Sequence, residues 1–179
     1  MPTLTRIAQT IDALNERLGR LVAWASLAMV LVQFTVVLQR YVFGIGSVWM
    51  QESIIYMHGL LFMLAAGYTL LHGAHVRVDI VYREASPRYQ AWVDILGTIF
   101  FLWPVCYLIA DVAWPYVATS WSVLEGSKET SGIQAVYLLK TVILLFAGLV
   151  ALQGLSMLVH AVRVLKGQET PHSEDAPSF

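Results

Sequence analysis

Four apolar stretches organise the chain, at about 21–42, 53–72, 93–117 and 136–160. A helix needs roughly 20 residues to cross about 30 Å of hydrocarbon, and each stretch is close to that length. None shows the strict apolar and polar alternation of a barrel strand, and an open strand would leave its backbone groups unpaired in lipid. Four transmembrane helices are therefore predicted. Before the first of them, Ile7, Ile11, Leu14 and Leu18 recur at helical spacing, with Arg6, Asp12, Glu16, Arg17 and Arg20 between them. This pattern predicts an amphipathic helix over 1–20, lying on the membrane surface or packed against a partner subunit. Residues 161–179 read as a tail. From Gly167 onward, Glu169, Pro171, Glu174, Asp175 and Pro177 leave too little apolar surface to offset the ordering of the chain, so disorder is expected there. The predicted fold is all-α: an integral membrane four-helix bundle preceded by an interfacial helix.

Composition agrees with this pattern. Of the 179 residues, 58% are hydrophobic and 13% charged, against roughly 25% charged in soluble domains; the mean hydropathy is +0.64. A net charge of −1 offers no basic surplus for neutralising phosphates, which argues against nucleic-acid binding. The single cysteine, Cys106, lies in an apolar run with no second thiol, and is expected to be inert packing. The first apolar run is too long for the h-region of a cleavable signal, so the first span is expected to remain in the mature protein. Phosphate-binding loops and the HExxH and GxSxG motifs are absent, and no enzymatic activity is expected.

Charge asymmetry sets the orientation. Arg6, Arg17 and Arg20 precede the first span, Arg77, Arg83 and Arg88 follow the second, and Arg163 and Lys166 follow the fourth. The alternate side holds Arg40, Lys128 and Lys140. Basic residues concentrate on the cytoplasmic side, so both termini are expected inside. Trp49, Trp114 and Trp121 near the outer boundary, and Trp24 and Trp92 near the inner one, fit aromatic belts.

Few residues within the spans could carry chemistry. Gln33 and Thr35 are central in the first span, where a helix–helix hydrogen bond is the expected role. Arg40, Glu52, Asp111 and Lys140 fall near the outer boundary, where pairwise neutralisation is possible; Asp111 and Lys140, at similar depth on adjacent spans, could form an interhelical ion pair, with independent snorkelling the alternative. His75 and Asp79, beside Arg77, are too few to make a metal site. A haem- or quinone-associated respiratory anchor is the competing class. His58 and His160, however, differ in depth by roughly 25 Å at 1.5 Å per residue, and His72 and His160 both lie at the inner water boundary. Small residues on two spans, Ala65, Ala66 and Gly67 and then Ala147, Gly148 and Ala151, suggest close helix contacts. Pro104 and Pro115 should kink or end the third span.

Two groups of residues carry a family resemblance. The first is Trp49-Met-Gln-Glu52, then Leu64-Ala-Ala-Gly-Tyr68, then Gly73-Ala-His75-Val-Arg77-Val-Asp79; the second is Ser120-Trp121-Ser-Val-Leu-Glu125-Gly-Ser127, Lys140 and Leu152-Gln-Gly154. In order and spacing they resemble the small, DctQ-like permease subunit of TRAP (tripartite ATP-independent periplasmic) transporters, over about residues 15–165. The resemblance implies a non-catalytic subunit of the bacterial inner membrane. Its expected partners are a large permease subunit, which holds substrate and coupling sodium, and a periplasmic binding protein that delivers organic acids. The small subunit is then expected to bind neither substrate nor cofactor and to scaffold the large one.

Overall fold

The computed structural model describes residues 2–75, 82 and 85–169. Helix α1 runs unbroken over Pro2–Val42. Pro2 suits the first helical position, where its missing N–H would be unbonded anyway. From Pro2 onward, the charged stretch and the apolar stretch 21–42 are thus one helix of 41 residues, about 60 Å long. The chain changes in polarity at Arg20 and Leu21, but nothing there stops a helix. Along it, Ala8, Ile11, Asn15, Leu18, Val22, Ala25, Met29, Val32, Val36 and Gln39 form one covered seam, buried or half-buried, at alternating steps of three and four. That 3.5-residue period is the signature of coiled-coil-like packing. Ile11 and Leu18 of the amphipathic pattern therefore pack inside this chain, while Ile7 and Leu14 stay exposed. Gly44, in the left-handed region at φ 67, lets the chain turn away, and the Ile45 N–H reaches back to the Gln39 carbonyl at 3.0 Å.

The second span is α2 (Val48–Leu64) continued by α3 (Ala66–Leu71). Ser47 caps its start by accepting from the Met50 N–H. Gly73 ends it. At φ 60, its N–H bonds the Leu70 carbonyl at 3.2 Å, and the Ala74 N–H bonds Thr69 at 2.9 Å. This pair of bonds is a Schellman stop. Gly167, at φ 69, closes the fourth span in the same way, through Gly167 to Val164 and Gln168 to Arg163.

The third span is built from α4 (Pro87–Gly97), a π-helical turn (Thr98–Leu102) and α5 (Trp103–Ser122). Ser86 caps it, with Pro87 in the first turn. The π turn immediately precedes Pro104, whose ring crowds the preceding turn and which cannot donate; the Trp103 N–H bonds Thr98 across the widened turn. Pro115 is accommodated inside α5. The fourth span is α6 (Val136–Leu165). All four helical stretches are long and apolar enough to cross a membrane.

Helix α6 is the hub. It packs against α1, against both parts of the second span and along the whole third span, whereas the third span meets no other helix to a comparable extent. Ala66, Cys106 and Val150 form the buried apolar centre, with Leu70, Leu102, Phe146 and Ala151 around it. Glycine permits the closest approaches. A Cβ at Gly67 would lie 2.2 Å from Asn15 Oδ1, one at Gly19 would lie 2.3 Å from the Tyr68 ring, and one at Gly154 would lie 2.8 Å from Leu102 Cδ2. Small residues at crossings let helix backbones approach in this way. Of the small residues expected at interfaces, Ala66, Gly67 and Ala147 are buried, while Gly148 faces outward.

Candidate functional site

Two polar nodes tie the spans together, one at each pole of the bundle. The terminal pole, where α1 begins and α6 ends, holds the more enclosed one. Asn15 falls in the buried seam of α1, and Gln153, Ser156 and His160 share one face of α6 at steps of three and four. Asn15 Nδ2 donates to Gln153 Oε1 at 2.7 Å, and Gln153 Nε2 donates to Asp12 Oδ1 at 2.9 Å. Ser156 Oγ also donates to Asp12 Oδ1, at 2.6 Å. Asn15 is 0% exposed, Ser156 0% and Gln153 1%. His160 places Nε2 3.0 Å from Asp12 Oδ2 and Nδ1 2.9 Å from Glu169 Oε1. With a carboxylate at each nitrogen, the doubly protonated ring satisfies both contacts. Beside this node, Glu16 bonds Arg20 at 2.6 Å within α1 and His72 at 2.7 Å, reaching the end of the second span.

The distal pole is organised by its loop. Glu52 on α2 accepts from the Ile133 N–H at 2.6 Å and from the Ser127 hydroxyl, and Tyr56 OH donates to the Ile133 carbonyl at 3.4 Å. Gly132 is needed here, since a Cβ would lie 2.5 Å from Glu52 Oε2. From α6, Lys140 pairs with Glu125 at 2.5 Å and stands 3.8 Å over the Tyr116 ring. That lysine holds the Glu125 carboxyl below the usual carboxylate range. Trp121 Nε1 donates to Thr141 Oγ1 at 2.8 Å, and its ring meets Tyr137 edge-on.

The motif residues divide between these places. Glu52, Trp121, Glu125 and Lys140 converge at the distal loop, while Trp49 remains on the surface. Gly73 stops the second span and His75 is exposed just beyond it; Arg77 and Asp79 lie outside the described residues. The pair expected between Asp111 and Lys140 does not form. Lys140 turns to Glu125, and Asp111 lies on the outward side of α5, nearly opposite the buried Cys106, Ala113 and Val117. Gln33 is exposed, and Thr35 bonds the Leu31 carbonyl of its own helix at 2.8 Å, so neither bridges helices as expected. The terminal node is the arrangement that sequence reasoning missed. Its signal was a set of polar residues falling on apolar seams.

Chemically, these arrangements fasten helices. The histidines considered for haem are engaged otherwise: His72 and His160 are held by carboxylates, and His58 is exposed beside Phe62. Among the described residues no cluster of His, Cys, Asp or Glu has the form of a metal site. No curated protein and no solved structure matches the chain. Residues 10–164 match the family described as Tripartite ATP-independent periplasmic transporters, DctQ component. That match reaches all four membrane helices and takes in both nodes apart from Glu169, and the chain belongs to this family, as a small membrane subunit of a TRAP transporter.

Proposed function

We propose that this chain is the scaffolding subunit of a sodium-coupled, binding-protein-dependent importer of organic acids in the bacterial inner membrane, with both termini cytoplasmic. A large permease subunit carries the substrate and sodium, and a periplasmic binding protein supplies the cargo. The observation that carries this reading is the use of the enclosed polar groups. Asn15, Gln153, Ser156 and Asp12 are engaged with one another across α1 and α6. A carrier needs coordinating groups or an unwound helix facing a path through the bilayer. Here the corresponding groups fasten the framework, and glycine contacts close it.

Reconstitution in liposomes under an inward sodium gradient tests the division of labour. Organic-acid uptake is expected only when this chain, the large permease and the binding protein are all present. Sodium-driven uptake by this chain alone would overturn the scaffold reading.

A further inference from the structure

Asp111 is an outward-facing carboxylate within a membrane span. Its neighbours on the outward side of α5 are Tyr107, 72% exposed, Leu108, 59%, and Trp114, 67%, with Pro115 also exposed. Among the described residues its carboxylate has no hydrogen bond or ion pair. Its depth follows from two fixed contacts of the third span. Towards the distal pole the Tyr116 ring sits under Lys140, five positions or about 8 Å away; towards the terminal pole Trp103 Nε1 bonds the Ala151 carbonyl at 3.1 Å, eight positions or about 12 Å away. Asp111 thus stands in the outer part of the apolar stretch, about 5 Å along the helix from Trp114. With a single methylene it has far less reach towards the boundary than a lysine or arginine.

A second acceptor stands at the same place. Pro115 has no N–H, so the α-helical bond that would end on the Asp111 carbonyl cannot form. One outward residue thus presents a carboxylate and a backbone carbonyl that lacks its usual partner, within the apolar stretch and one turn from Trp114. Uncompensated acceptors in hydrocarbon are strongly unfavourable, and intramembrane carboxylates are found paired or facing protein.

We infer that the outward face of α5 around Asp111 is the docking surface for a transmembrane helix of the large permease subunit, and that this helix brings an arginine to Asp111. A guanidinium presents several donors in a fixed fork and can serve both acceptors together. Tyr107, Leu108 and Trp114 supply the apolar, aromatic contact around the pair. The third span suits this position, since only α6 covers it extensively and most of its circumference is open. This inference rests on the scaffold reading and specifies the face that the scaffold offers.

The test co-expresses this chain with the large permease subunit and measures how much of the latter copurifies in mild detergent. Asp111→Lys is expected to lower recovery at least tenfold and Asp111→Asn several-fold, while Leu31→Ala, on the outward side of α1, leaves it unchanged. A photo-crosslinking residue at Leu108, with Asp111 intact, should link to the large subunit; the same residue at Leu31 should not. Wild-type recovery of the Asp111→Asn complex would overturn the ion pair. Crosslinks from Leu108 that reach only lipid or a second copy of this chain would overturn the docking face. Copurification of the wild-type pair keeps the scaffold reading in place in both cases, whereas its absence removes that reading as well.

Discussion

The two polar nodes use similar side chains to different ends. At the terminal pole, donors and acceptors project from regular helices into an enclosed contact, and Asn15, Gln153 and Ser156 are inaccessible to solvent. At the distal pole, Glu52 and Lys140 reach from helices to an irregular loop, and the residues they hold are half-buried or exposed. An enclosed polar group that loses its partner bears the full desolvation penalty, whereas a group near solvent can turn to water. The first node therefore determines how the helices sit against one another. The second determines the shape of a loop.

Removing one member from each node sharpens this contrast. Gln153→Leu strands Asn15 Nδ2 and takes a donor from Asp12. It should lower the stability of the bundle by about 1–3 kcal/mol, seen as a depressed thermal midpoint in detergent, because buried polar groups are left unpaired. An unchanged midpoint would mean that the enclosed node is not holding α1 to α6.

At the other pole, Glu52→Ala removes the acceptor for the Ile133 N–H and the Ser127 hydroxyl. Hydrogen exchange at the Ile133 amide should speed up markedly while the stability of the bundle falls by no more than about 1 kcal/mol, the value of an ordinary hydrogen bond. A global loss matching that of Gln153→Leu would erase the distinction between the poles.

Acidification should have the smallest effect. Lys140 lowers the folded-state pKa of Glu125, so the stabilisation from this pair is fully present above the unfolded value, about 4.3 for glutamate, and is lost as pH falls through the lowered one. Amide exchange in the 123–135 loop should respond to this pair only below the usual carboxylate range. A transition at neutral pH would point to a different group.

Membrane spans were legible because length and hydropathy are read along one dimension. The continuity of α1 was not. A change of polarity at Arg20 and Leu21 resembles a boundary, but helix formation depends on backbone freedom, and no proline or turn signal interrupts it. Depth was also legible, since residue spacing along a helix measures it, but depth alone does not fix azimuth. Asp111 and Lys140 share an approximate depth while Asp111 faces away from α6, so their proximity in one coordinate did not make a pair. Azimuth would have revealed more than it hid. Asn15 lies on the step-three, step-four seam with Ile11 and Leu18, and Gln153, Ser156 and His160 fall on one face. A polar residue on such a seam requires a partner across it. The distal loop was harder to read, because the spacing of Glu125, Ser127 and Ile133 follows no helical or strand period.

The central place of α6 bears on how the protein is made. α6 follows the other three spans along the chain, and the third span has no other extensive partner among the described residues. Until the fourth span enters the bilayer, the third stands alone beside a hairpin of the first two, with Gly154 not yet against its π turn and Asn15 without Gln153. A nascent chain stopped before Val136 thus carries three spans without the extensive contacts that join the third to the others, and the packing of the third span waits on the fourth.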